Sequence, residues 1–372
     1  MKSVFSFSSL AALIALQLTS PALADDFTDT YQAFQTAYKN KDLASSVRLG
    51  NESWKLGQEK FGEDSEQAMK LRYSLANVLV EAEQPEQALA HYKEVVDDYR
   101  DHYGDNHLNT LYLYTDVINY LHMHVSKLGK PARDFLQKMG TQLVKDADEP
   151  AYASKKEEAY LYAEAAQALV KAPMLTTTKH NVLEFYRHAN QVVTAQWGEE
   201  DARTLQTRLF LGKAYELANK TQDAAQTYES ILDSLGEDTQ VTPPLKLVTH
   251  ARLVTLFEKS GDSEAATKHC RAIGEMKPWD PDQKPEPIYR VNPKYPVTAA
   301  KRGNEGSAFL SYIVNSQGMV EDLTVDKVDG YPGFGKKALQ AVEQWRYAPK
   351  FEDGKPVDSE RLTVQMDFKV ES

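Results

Sequence analysis

The sequence predicts an α-helical repeat array followed by a small α+β domain. Three observations support this. From Asp26 to about Met276 proline is scarce, and apolar residues recur at three- and four-residue spacing. Within that stretch one frame of residues occurs twice. After Pro287 the apolar period changes from helical to strand-like.

The chain has 372 residues, enough for two or three domains, and its hydrophobic fraction of 42% can fill real cores. Its N-terminus reads as an export leader. Lys2 supplies the basic start, Val4 to Leu18 the apolar stretch, and Pro21 the break. Ala22-Leu23-Ala24 is a small-x-small cleavage site before Asp25. The apolar stretch is shorter than the roughly 18–20 residues of a spanning helix. The expectation is a mature chain from Asp25, exported to the periplasm; the alternative is an uncleaved anchor in the inner membrane. Cys270 is the only cysteine, so no intramolecular disulfide can form. It falls in a helical pattern and reads as a small buried hydrophobe.

Residues 25–276 are expected to form the helical domain. Leu75, Ala76, Leu79, Ala88 and Tyr92 make one frame; Leu211, Gly212, Tyr215, Ala224 and Tyr228 make the other. Leu precedes Ala by 13 residues in both, and Tyr follows Ala by four. Leu253, Leu256, Gly261, Ala265 and His269 read as a weaker copy, and Phe34, Ala44 and Leu49 as a degenerate first one. The turns Phe61-Gly62-Glu63-Asp64, Tyr103-Gly104-Asp105, Trp197-Gly198-Glu199 and Leu235-Gly236-Glu237 place glycine at helix ends and acids at the next helix start. Between about 108 and 190 the frame fades and only helix pairs of uncertain register are legible. The array resembles tetratricopeptide repeats. Gly62 to Gly104 spans 42 residues against the usual roughly 34, which is similar to the long repeats of kinesin light chains. The resemblance implies a solenoid that holds a protein partner.

Lys277 to Pro287 contains four prolines and reads as a linker and domain boundary. Residues 288–372 then form the second domain. Gly306 to Val314 is a strand, Asn315 to Gly318 a turn, and Met319 to Val328 the returning strand. Phe334, Ala338, Val342 and Trp345 mark one face of a helix. Leu362, Val364, Met366, Phe368 and Val370 alternate with polar residues, so the last strand has one buried and one wet face. The sum is β-β-α-β, an antiparallel sheet covered by one helix.

Pro293-Lys294-Tyr295-Pro296, Gly303-Asn304-Glu305-Gly306 and the run from Ala338 to Trp345-Arg346-Tyr347-Ala348-Pro349 resemble the C-terminal domain of TonB-family energy transducers. The resemblance spans about Pro287 to Val370. It implies binding of a short extended segment of outer-membrane TonB-dependent transporters, added as a strand beside the last strand. Carried over, Thr363, Val364, Gln365, Met366, Asp367 and Phe368 are the pairing edge. Asn292 stands where some members carry glutamine, and Tyr295 anchors the entrance beside it; both join the partner-binding set. The same edge could serve a homodimer. The chain departs from the family in three respects: a removable leader replaces the membrane helix, the proline-rich spacer is reduced to about a dozen residues, and helical repeats stand in its place. The expectation is therefore a periplasmic adaptor. The alternatives are an anchored transducer that drives TonB-dependent transport, and an envelope structural module that binds the cell wall.

Other chemistries find little support. A net charge of -11 argues against a nucleic-acid partner. Gly330 to Lys336 has phosphate-loop spacing, but Lys337 follows where Ser or Thr would hold magnesium, and Pro332 removes a backbone donor. Among the histidines only His122 and His124 are close, and their spacing points them apart on a helix. No zinc spacing, nucleophile motif or catalytic triad is legible, so the sequence names no catalytic residue, metal or cofactor. Arg346 reads as a cation complementing the helix C-terminus.

Overall fold

The computed structural model describes residues 26–147, 154–171, 179–235, 242–276 and 287–370. The leader at 1–24 and the proline-rich run at 277–286 lie outside the described residues. Packing divides the chain into two compact units, with the division between Asn219 and Lys220.

The first unit is helical: α1 Asp26–Lys39, α2 Leu43–Phe61, α3 Glu66–Glu81, α4 Pro85–Tyr103, α5 Leu108–Asp146, α6 Lys155–Lys171, α7 Lys179–Trp197 and α8 Ala202–Leu217. Each helix packs on its neighbours in sequence. Two kinds of turn recur. Inside a pair, one residue takes positive φ: Lys41 at 58° and Glu83 at 56°. Between pairs, a glycine ends one helix and a side chain three residues later caps the next. Gly62 is followed by Ser65, which accepts from the Ala68 amide; Gly104 by His107, which accepts from Asn109; and Gly198 by Asp201, which accepts from Arg203.

This grammar resolves the stretch that the sequence left without register. Helix α5 is 39 residues long, but Gly129 interrupts it at φ 68°, ψ −150°. Pro131 follows two residues later, as Pro85 follows Glu83. Proline suits the first turn of a helix, where its missing N–H has no partner to lose. The two arms of α5 are therefore a further helix pair.

Two frames are corrected. In α2 the buried positions are Ser46, Gly50, Ser53 and Gly57, while Ala44 is exposed. Phe34 arrives from α1 and fills the space that a large residue on α2 would take; a Cβ added at Gly50 would lie 3.2 Å from its ring. In α11 (Ser263–Met276) His269 is buried as expected, but the small buried residue is Ala266 and not the partly exposed Ala265, with Cys270 four residues on. Leu253 to Ala266 then restores the spacing of 13 residues.

Large buried rings set the spacing between helices in the first unit. Tyr92, Tyr114, Tyr162 and Tyr186 are all essentially inaccessible. Each hydroxyl finds an acceptor: Asn77 Oδ1 at 2.5 Å, Asp146 Oδ2 at 3.1 Å, the Ala147 carbonyl at 2.5 Å and the Ala166 carbonyl at 3.2 Å. A buried tyrosine needs that partner, since an unmet hydroxyl costs about 1–3 kcal/mol.

The second unit opens with α9 Thr221–Ser234, α10 Thr242–Ser260 and α11. It continues with α12 Val297–Ala300, β1 Gly306–Val314, β2 Val320–Asp329, α13 Gly333–Val342, β3 Lys350–Glu352, β4 Lys355–Val357 and β5 Leu362–Phe368. The main sheet is antiparallel, in the order β2-β1-β5. The expected β-β-α-β order is present. The short helix α12 and the β3–β4 hairpin are additions. The hairpin turns on Asp353-Gly354, both at positive φ (51° and 74°), the pairing that a two-residue hairpin favours. Its three-residue strands are too short to show a period.

Candidate functional site

The candidate site is the strand β5. Its inward residues Met366 and Phe368 are 3% and 2% exposed, and Val364 and Leu362 are partly buried on the same face. Thr363, Gln365 and Asp367 face solvent. Strand β5 pairs with β1 from Gly306↔Phe368 to Tyr312↔Leu362, without a bulge. Among the described residues it has no second strand neighbour, so its other backbone edge is open.

The opposite edge of the sheet is different. Strand β2 pairs with β1 through two register shifts, and Asp322 sits at φ 48°. Arg361 donates to the Asp322 carbonyl at 3.0 Å. Glu321, Asp322, Asp326 and Asp329 are exposed along this strand. Bulges and charges of this kind discourage pairing. Of the two edges, β5 is the regular one.

Beneath β5 lies an aromatic core. The Phe334 ring stacks on Phe368 with centroids 4.3 Å apart. Tyr295 meets both edge-on, at 5.6 and 5.7 Å, and its hydroxyl donates to the Asn304 carbonyl at 2.5 Å. Tyr295 is thus brought against the end of β5. Asn292 is exposed on the entering segment, with no hydrogen bond or ion pair joining it to β5. Phe334, Ala338 and Val342 share the core from one face of α13, whereas Trp345, expected on that face, joins the core from three residues beyond the end of the helix. Trp345 donates from Nε1 to the Val291 carbonyl at 2.9 Å, which pins the entering segment to the end of the helix. On the solvent face, the Ser307 hydroxyl and then Gln365 donate to Asp367 and hold its carboxyl below the usual range.

Arg346 departs from the expectation. It lies beyond the last turn of α13 and serves no helix end. Its guanidinium donates from Nε to Glu258 Oε1 on α10, and the two side chains are 8% and 11% exposed. Nothing in the sequence connects these positions. The glycine-rich run before α13 also has a packing reason: a Cβ at Gly335 would come within 2.8 Å of Val328. Cys270 is buried as expected, and burial pushes its thiol up to about 12. Among the described residues no group of three His, Cys, Asp or Glu side chains could hold a metal, and no helix is long and apolar enough to cross a membrane.

Residues 291–370 match the family model for the Gram-negative bacterial TonB protein C-terminal. This domain is TonB-like. Two curated proteins resemble it: the TonB protein of Vibrio cholerae serotype O1, 33% identical over 82 residues, and the tonB2 protein of Pseudomonas aeruginosa, 32% identical over 83. Each match covers 22% of this chain, and 33% and 30% of those relatives. The chain therefore spans about a third of their length. Among solved structures, the chain is similar to a kinesin-light-chain TPR-like repeat protein of Podosopora anserina, with 12% identity, TM-score 0.40, and coverage of 55% of this chain and 93% of that one. It is also similar to BtubC (BKLC) of P. vanneervenii, with 13% identity, TM-score 0.42, and coverage of 68% and 99%. The paired-helix architecture stands on the turns and packing described above.

Proposed function

We propose that this protein is an exported envelope adaptor whose TonB-like domain binds an extended segment of an outer-membrane transporter by strand addition. The single observation behind this reading is the open, unbulged outer edge of β5. Strand addition draws its affinity from backbone groups, so it needs a free regular edge and little else. Thr363 to Phe368 would supply that edge, while Tyr295 and Asn292 would flank its end. Strand β2 offers a bulged acidic edge instead. The matches to TonB C-terminal domains support transport as the setting. The helical repeats would hold a second protein, and no step of catalysis is assigned. The periplasm is the proposed location, with processing after Ala24; intact mass of the native protein from soluble and membrane fractions tests it.

The binding test uses the full chain and synthetic peptides copied from the periplasmic segments of outer-membrane transporters, titrated by calorimetry with amide hydrogen exchange in parallel. The expected result is saturable binding with new protection in β5 and none in β2. Proline at 364 and at 365 sharpens the test, because successive residues of a strand direct their N–H groups to opposite sides. One substitution removes a bond to β1 and destabilises the sheet. The other removes a donor from the open edge and weakens peptide binding in a folded protein. Binding that protects β2, or that survives both prolines unchanged, would overturn the reading.

A further inference from the structure

Helices α10 and α11 pack against the TonB-like fold, all within the second unit. We propose that the α10–α11 hairpin is an integral part of the TonB-like domain, docked on its Trp345 to Phe351 face. On this view the body that carries the β5 edge begins at α10 and not after the proline-rich segment. The inference does not depend on what β5 binds.

Four independent features make this a built joint. The first is electrostatic: Glu258 of α10 meets Arg346 with both side chains about nine-tenths buried. An ion pair is kept out of water in this way only where its partners are held in place, because each charge alone would be strongly penalised.

The second is the lock on the Arg346 backbone. Its N–H donates to the Tyr289 carbonyl at 3.0 Å, and its own carbonyl accepts from Ile288 at 2.7 Å and Tyr289 at 3.2 Å. Met319 bridges the same residue from the start of β2. The guanidinium is therefore aimed at α10 by the sheet domain itself.

The third is apolar. Val254 and Cys270 are fully buried and Ile273 is 3% exposed; they form a small cluster with Ile288, Tyr289 and Ala348. Three of these side chains come from the hairpin and three from the TonB-like domain.

The fourth is close approach. Gly274 of α11 lies against β3 and its lead-in; a Cβ there would stand 2.7 Å from the Phe351 ring and 2.8 Å from the Pro349 carbonyl. Only glycine lets the helix backbone come this near.

Together these features give the Trp345–Phe351 face an occupant within the chain. A partner of the TonB-like domain must then approach by another surface, and the outer edge of β5 remains open.

The test is native-state hydrogen exchange on the full chain in increasing sub-denaturing urea. If the hairpin and sheet are one cooperative body, the slowest amides of α10, α11, β1 and β5 converge on a single unfolding isotherm. Gly274→Ala and the larger Gly274→Val should each lower protection in hairpin and sheet by the same factor, tenfold or more for valine. The proposal fails if the hairpin amides open on their own isotherm while β1 and β5 keep full protection. It also fails if Gly274→Val alters the hairpin alone. The wild-type isotherms decide the matter even if the valine variant does not fold.

Discussion

Glu258 and Arg346 are separated by 88 residues in sequence and by 2.5 Å in space. The pair joins α10 to the Trp-Arg-Tyr run of the TonB-like domain. Its burial sets its energetics. Removing one partner leaves the other charged, buried and unmatched, at a cost of about 3–5 kcal/mol.

Arg346→Met and Glu258→Leu are each expected to destabilise by about that amount, whereas the double variant should recover most of the loss, because a packed apolar pair can replace a buried ion pair. Urea denaturation followed by tryptophan fluorescence measures this, with buried Trp345 as one reporter. Additive single effects in the double variant would mean that the two side chains do not act as a pair.

The parts of this molecule that were legible in the sequence are those governed by local period. The strands at Gly306–Val314 and Leu362–Phe368 and the helical face Phe334-Ala338-Val342 follow from composition and spacing, although the alternation overran the last strand to Val370, which is 45% exposed, and the helical spacing overran α13 to Trp345. The candidate edge was legible only through resemblance, since alternation shows which face is wet but not which strand is outermost. Two kinds of feature stayed hidden. One is compensation between helices, as where Phe34 supplies the bulk and α2 carries Ser46 and Gly50. The other is long-range pairing, as at Glu258 and Arg346, which has no spacing to betray it. The Gly129 break was readable in principle, because Gly-Lys-Pro repeats the order of Glu83-Gln84-Pro85.

That break gives the second prediction. Gly129 holds φ 68° with ψ −150°, a region that side chains other than hydrogen avoid, and occupying it costs roughly 1–3 kcal/mol. Gly129→Ala should destabilise by that amount. Glu83, at φ 56°, holds the ordinary left-handed conformation at the equivalent turn. Glu83→Gly relieves about 1–2 kcal/mol of strain and adds about 0.4–1 kcal/mol of chain entropy to the unfolded state, so its net effect is small and favourable. Midpoints of urea unfolding by circular dichroism separate the two. Equal losses at both positions would refute the distinction.

Asp116 on α5 supports a pH-dependent prediction. Burial, and then the nearby Glu164 carboxylate, push its carboxyl up to about 7. A folded-state value above the unfolded one favours folding at acid pH and opposes it as pH rises through 7. Asp116→Asn should therefore raise stability at pH 8 by about 1–3 kcal/mol and change it little at pH 4. Thermal unfolding at the two pH values checks this. A gain at pH 4 with none at pH 8 would reverse the sign and remove burial as the cause.

The His250–His269 pair carries the opposite sign. The two Nδ1 atoms lie 2.8 Å apart between α10 and α11, so one ring donates and the other accepts. Phe257 stacks on His269 with centroids 5.7 Å apart. Burial lowers both imidazoles to about 4; Lys246 and Lys268 add to the effect at His250, and His250 itself and Lys268 at His269. The unfolded rings titrate near 6.5, so the contribution is complete above that value. It is lost as pH falls from about 6.5 to 4, where the unfolded chain binds protons that the folded pair refuses. Across that window the wild type should lose a few kcal/mol more than a variant with His250→Leu and His269→Met, whose core cannot titrate. Urea unfolding at pH 7, 5.5 and 4.5 measures the difference. Parallel pH profiles for the two proteins would show that the pair is already protonated in the folded chain. A steeper fall in the wild type would show that the α10–α11 hairpin keeps both rings neutral.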